Sequence, residues 1–166
     1  NTVLPEKKEE KKTEKPKEET KEVKKHEIKK ITKTEVAVNA YNLPVSTKYS
    51  RDICSFIKHK EIEKAISDLE EVLKMKRAVP MKGEYAHRKG KGISSGKYPK
   101  QATIHFIKLL KSLRGNANNL GINEPVITEA FANIGVRPYG RFGTVRKKRT
   151  HIKILAQNKS TKEKGK

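Results

Sequence analysis

Seven basic side chains and no acid fall within residues 137–153 of this chain: Arg137, Arg141, Arg146, Lys147, Lys148, Arg149 and Lys153. Tyr139 and Phe142 stand among them, with glycines at 140 and 143. A second stretch, residues 74–100, holds nine basic side chains and one acid, Glu84. Guanidinium groups bind phosphate through two parallel hydrogen bonds and stack on bases. Aromatic rings stack on unpaired bases, and glycine lets backbone approach a ligand closely. An ordinary solvated surface mixes both signs of charge. The chemistry these residues offer is recognition of a polyanion.

The rest of the composition narrows the partner. With 40 Lys and Arg against 19 acids, the formal net charge is +21, and only 33% of the 166 residues are hydrophobic. A charge of that size repels itself in a compact fold and calls for nucleic acid, an anionic membrane or an acidic protein. No apolar run approaches the roughly 20 residues of a membrane span, and the basic segments lack an apolar face that could insert into lipid. The first residues carry no apolar signal segment, so the expected compartment is the reducing cytoplasm. The single cysteine, Cys54, lies between Ile53 and Phe56 in a helical pattern and reads as buried packing.

Enzyme and metal chemistry find little support. The loop from Gly90 to Lys97 resembles a P-loop, but Lys91 stands where the first glycine is required and Tyr98 where Ser or Thr must hold magnesium. His26, His59, His87, His105 and His151 are scattered without Cys or carboxylate partners at ligand spacing. No cofactor, metal or catalytic residue is expected.

The elements that must position the basic segments follow from periodicity. Residues 1–33, with 12 Lys and 8 Glu, have almost nothing to bury and are expected to be disordered. Val36, Val38 and Ala40 alternate as a short strand closed by Leu43-Pro44, and Ser46 offers a helix N-cap. Ile53, Phe56 and Ile57 make the apolar face of a first helix, and Lys58 to Glu61 break it. Ile62, Ala65, Ile66, Leu69, Val72 and Leu73 mark a second helix, expected to end near Ala78-Val79-Pro80. Residues 81–98 read as a loop with four glycines. Pro99 suits the first turn of a third helix carrying Ala102, Phe106, Leu109, Leu110 and Leu113, which stops before Gly121.

Residues 125–134 and 144–156 read as strands around a turn near Gly140-Arg141, a register that sets Glu129 opposite Lys153. Val126, Ile127, Phe131, Ile152, Ile154 and Leu155 would form the apolar base of this hairpin. An arm of about 12 residues would reach roughly 40 Å and would be marginal alone in water. The expected fold is α+β, three helices packed on a small antiparallel sheet with one long protruding hairpin, about 125–156.

At this point a family resemblance can be read. EIEKAISDLEEVLKMKRAVP at Glu61 to Pro80, HRKG at His87 to Gly90, GKYP at Gly96 to Pro99 and KRTHIKIL at Lys148 to Leu155 occur in an order and spacing similar to the universal large-subunit ribosomal protein family L-twenty-two, called L-seventeen in eukaryotes. The resemblance covers residues 34–156, and its HRKG version looks archaeal. It implies a body on the subunit surface bound to large-subunit rRNA and to neighbouring large-subunit proteins, without homo-oligomerisation. It also implies a hairpin running beside the nascent-peptide exit tunnel, near the nascent chain. Arg137, Pro138, Tyr139, Gly140 and Arg141 match the tip; Arg149, Thr150 and His151 match the return arm; Lys76, Arg77, His87, Arg88 and Lys89 match the loop after the second helix. The Lys/Glu segment departs from the family pattern, and the Pro80–His87 loop and the hairpin tip are a few residues short.

The expected RNA-binding set adds Lys48, Arg51, Lys82, Lys91, Lys97, Tyr98, Phe142, Arg146, Lys147 and Lys148, with residues 157–166 as a basic tail. The rival reading is a basic DNA- or chromatin-binding protein. Its recognition helix would have to be the second helix, whose Glu61, Glu63, Asp68, Glu70 and Glu71 a DNA groove would repel.

Overall fold

A computed structural model describes residues 35–83, 86–90 and 92–159. The expectations of a disordered segment over 1–33, of a basic tail past Lys159 and of an RNA contact by Lys91 lie outside the described residues. Among the described residues nine elements follow in order: β1 (Glu35–Leu43), α1 (Thr47–Ile57), α2 (Ile62–Leu73), β2 (Val79–Pro80), β3 (Arg88–Gly90), β4 (Ile93–Lys97), α3 (Lys100–Asn119), β5 (Pro125–Ile134) and β6 (Thr150–Asn158). The α+β class and the three helices agree with the sequence reading. There are, however, two three-stranded antiparallel sheets, ordered β1-β6-β5 and β2-β4-β3.

The core lies between the first sheet and the helices. Ile53 and Ile57 of α1, Leu69 and Val72 of α2, and Phe106, Leu110 and Leu113 of α3 are fully enclosed with Ile127, Ile152 and Ile154. These are the apolar positions that three- and four-residue spacing puts on one helix face. Truncating any one of these leucines to alanine would cost about 2–5 kcal/mol. Cys54 is buried with them, and burial pushes its thiol up to about 12 despite Lys58 nearby.

The break between α1 and α2 also protects a sheet edge. His59, at φ 63°, donates its N–H to the Ile127 carbonyl at 2.8 Å, and Ile127 donates to the Lys60 carbonyl at 2.9 Å. Glu61 bridges to Val126. Residues 59–61 thus cover part of β5, an edge strand that would otherwise present unpaired backbone. At the same end of β5, Lys159 donates to Glu61 at 3.2 Å and lies 3.5 Å from Glu124, closing the sheet on the start of α2. The Glu61 hydrogen bond, with both carboxylates' charge, raises its ammonium pKa.

Several boundaries move. Helix α2 ends at Leu73, not near residues 78–80, because Met75 turns into the left-handed region at φ 57°. The expected 81–98 loop contains two strands: β3 and β4 form a hairpin turning at Gly92, φ +73°, and β2 pairs with β4 through Val79–Lys97 and Pro80–Gly96. A Cβ on Gly96 would lie 2.9 Å from the Ala78 Cβ, so close packing requires glycine there.

The hairpin register also differs from the expected one. Glu129 faces Leu155, and Lys153 faces Phe131, rather than each other. A bulge between Ile127 and Glu129 inserts Thr128 and reverses which face points inward. Ala130 is therefore buried, while Phe131, expected in the apolar base, is 44% exposed beneath Lys58. Strand β6 starts at Thr150, later than residue 144, and continues through Asn158, beyond the expected boundary at 156. It pairs with β1 over nearly its whole length, so only residues 135–149 extend past the paired strands. The outgoing six of them reach at most about 20 Å, half the expected length.

Candidate nucleic-acid interface

Outside the paired strands the hairpin persists through few contacts. The Gly135 N–H donates to the Arg149 carbonyl at 2.9 Å, Lys147 to Pro138 at 2.8 Å and Gly140 to Val145 at 2.7 Å. Gly143 donates to Gly140 at 3.0 Å with φ +71°, so the turn is Gly140-Arg141-Phe142-Gly143. Arg137, Pro138 and Tyr139, expected at the tip, lie on the outgoing arm. Ile134, Val136, Tyr139, Phe142 and Val145 are all exposed, Phe142 the most at 85%. These apolar groups form no core with one another.

The cations of this arm are largely unneutralised. Arg137, Arg141, Arg146, Lys147 and Lys148 are exposed and Arg149 half-buried, and among the described residues none of them is ion-paired. Local contacts orient rather than discharge them. Arg146 donates to the Tyr139 hydroxyl with its guanidinium 4.6 Å from that ring's centre, and Arg141 lies 5.7 Å from the Phe142 ring. Cation and ring are thereby offered together, the combination that grips phosphate and base at once.

His151 behaves differently. Its Nδ1 accepts the Asn42 N–H at 3.2 Å, and its ring meets Tyr41 edge-on at 5.5 Å. With Nδ1 occupied, only Nε2 can face a ligand. Asn42, at φ 55°, sits in the irregularity between Ala40 and Leu43 that shapes this contact.

The second basic group surrounds the β2-β4-β3 sheet. Lys76, Arg77, Lys82, His87, Arg88 and Lys89 are exposed, and Lys97 and Tyr98 half-buried. Arg88 lies 5.8 Å from the Tyr98 ring, and Lys97 5.4 Å from the Tyr49 ring. Lys48 and Arg51 are exposed on α1, and Lys48 approaches Gly83 beside this sheet. The fold thus unites residues 48 and 76–98 around one sheet and leaves the hairpin as a separate cationic ribbon.

Sequence reasoning missed one arrangement here. Asp68, read only as one acid of the α2 surface, is 8% exposed at its side chain and bonds both Lys60 and Arg77. Phe56 carries Lys60 at 3.6 Å and Arg77 at 5.2 Å from its ring centre. Part of Arg77's charge is therefore answered within the protein. No sequence signal links these four residues, since they come from α1, the α1–α2 turn, α2 and the segment after it.

Among the described residues, no helix is long and apolar enough to cross a membrane, and no cluster of three His, Cys, Asp or Glu could hold a metal ion.

Comparison with known proteins converges on one family. Residues 38–157 match the family model described as ribosomal protein L22p/L17e. A large ribosomal subunit protein uL22 from Archaeoglobus fulgidus is 34% identical over 130 residues, covering 70% of this chain and 84% of its own. The uL22 of Nanoarchaeum equitans is 37% identical over 137 residues, covering 72% and 77%. That of Methanocaldococcus jannaschii is 31% identical over 129 residues, covering 70% and 83%. With both basic segments and all six strands inside or overlapping the matched range, the chain belongs to the L22p/L17e family of ribosomal proteins, in its archaeal form.

Proposed function

We propose that this protein is a structural constituent of the large subunit of the cytoplasmic ribosome rather than an enzyme. In this reading it binds large-subunit rRNA through the β2-β4-β3 face and the hairpin, beside neighbouring subunit proteins, and supports assembly and translation. The hairpin extends towards the nascent-peptide exit tunnel, where it can meet the nascent chain. The relatives named above as large ribosomal subunit proteins support the subunit assignment. The RNA assignment is carried chiefly by one observation: a ribbon of six cations, without an ion pair among the described residues, presents the exposed Phe142 ring at its turn and the exposed Tyr139 ring on its outgoing arm. Such an arm repels itself in water and is stabilised when phosphates lie between its charges.

Sedimentation of cell extract through high salt, with detection of this chain, tests the reading. Stable co-migration with the large subunit is expected. A nucleoid-bound pool released by DNase would instead favour the DNA-binding alternative and overturn the ribosomal one.

A further inference from the structure

A cavity of about 420 Å³ opens between the exit of α2 and the β2-β4-β3 sheet. Its volume lies within the roughly 300–1,000 Å³ of small-ligand sites. One part of its wall is apolar and partly aromatic, with Phe56, Pro80 and Tyr98. The remainder is cationic, with Lys76, Arg77, Arg88 and Lys89, and among the described residues no acid lines it. Two of these cations are already held in place. Arg77 is bonded to Asp68 and lies beside Phe56, while Arg88 lies 5.8 Å from the Tyr98 ring.

This division into flat apolar wall and positive rim sets the ligand's chemistry. A purely apolar molecule would leave Lys76, Arg88 and Lys89 unanswered and Arg77 answered only in part, and an inorganic anion would leave the aromatic wall bare. A planar ring carrying a phosphate ester satisfies both. The ring gains stacking on Tyr98, and the ester oxygens meet the guanidinium groups of the rim. Because Asp68 and Phe56 fix Arg77, less side-chain freedom is lost when a ligand binds. Exposed lysines scattered on a surface would provide no such wall.

Resting on the RNA-binding reading, we propose that this cavity seats one unpaired nucleotide of an RNA, its base against Tyr98 and Pro80 and its phosphate on Arg77 and Arg88. The remainder of the β2-β4-β3 face then tracks the adjoining backbone. A free nucleotide shares the same chemistry, but has no flanking phosphates for Lys82 and Lys89, so RNA is the better occupant.

Two short RNA hairpins test this with the full chain: one fully paired, one with a single bulged 2-aminopurine nucleotide. At moderate salt the bulged hairpin is expected to bind about tenfold more tightly, from one base stacked on an aromatic ring, and its fluorescence to change saturably. Tyr98→Leu, which keeps apolar bulk, should reduce that preference to less than about twofold. Arg88→Gln, on an exposed strand position, should weaken it as well and covers the case in which Tyr98→Leu fails to fold. Equal binding of both hairpins with unchanged fluorescence would overturn the cavity assignment and leave RNA binding intact. Failure to bind either hairpin would overturn the RNA reading itself, and with it this one. AMP alone binding as tightly as the bulged RNA would assign the cavity to free nucleotides and refute the RNA proposal.

Discussion

Thr47 and Thr150, more than a hundred residues apart, share a buried hydrogen bond of 2.9 Å between their hydroxyl groups. Thr150 also donates to the Val45 carbonyl at 2.9 Å, so its own proton is used and Thr47 supplies the proton between them. The first turn of α1 is thereby fastened to the residue at which the hairpin re-enters the sheet. Thr150→Val would leave a carbonyl and a hydroxyl buried without partners and should cost about 2–4 kcal/mol in urea unfolding. Thr47→Val leaves the Val45 bond in place and should cost about 1 kcal/mol. Equal losses would refute this asymmetric assignment of protons.

Two glycines should respond to alanine in opposite directions. A Cβ on Gly135 would stand 3.2 Å from Arg149 Cβ, Asn42 Oδ1 and His151 Nε2, three contacts where the hairpin leaves the sheet. Gly135→Ala should destabilise by about 1–3 kcal/mol through overpacking and disturb the His151 ring resonances in an NMR spectrum. Gly115, inside α3 with nothing within 4 Å of a built Cβ, should gain about 0.4–1 kcal/mol on replacement by alanine.

The Asp68 cluster is expected to matter more than its surface neighbours. Asp68→Asn keeps the shape but leaves Lys60 and Arg77 without their shared anion. Loss of a buried pair costs about 3–5 kcal/mol. With the two cations 21% and 43% exposed, water should offset part of that, leaving about 1–3 kcal/mol. Glu70→Gln, at an exposed site on the same helix, should change thermal stability by less than about 0.5 kcal/mol.

Neutralising the hairpin should act on RNA affinity rather than on folding. Arg137→Gln, Arg141→Gln, Arg146→Gln and Arg149→Gln should each lower the slope of log affinity against log salt by about 0.7–0.9 if that residue meets one phosphate. An unchanged slope in the fourfold variant would remove the ribbon from the interface.

Cys54 provides a probe of folding. Its thiol pKa, raised from 9.0 to about 12 by burial, holds it as the unreactive thiol at pH 8. Iodoacetamide should label the native chain at least about a hundredfold more slowly than the urea-unfolded chain. The protonated thiol favours the folded state fully below pH 9, and that contribution is lost as pH rises towards 12. Unfolding midpoints should therefore decline over that alkaline range, and Cys54→Ala should flatten the decline.

By itself the sequence determined the three helices, the presence of the three strands of the first sheet and the sign of the chain's own charge. Helical spacing at Ile62, Ala65, Leu69 and Val72 is local information, and a run such as Arg146 to Arg149 carries its charge whatever the fold. The α+β class and the family pattern were legible on the same grounds. What the tertiary structure alone decided depends on residues distant in sequence meeting. The β2-β4-β3 sheet is made of strands too short and too polar to alternate, so only pairing reveals it. The turn at Gly140–Gly143, centred one residue later than expected, keeps Glu129 from meeting Lys153, and the bulge at Thr128 turned Phe131 outward, because one inserted residue exchanges the two faces of a strand. Asp68 looked like any helix-surface acid until Lys60 and Arg77 closed over it. Periodicity reports which way a side chain points along its own element; what it meets there is settled by packing between elements.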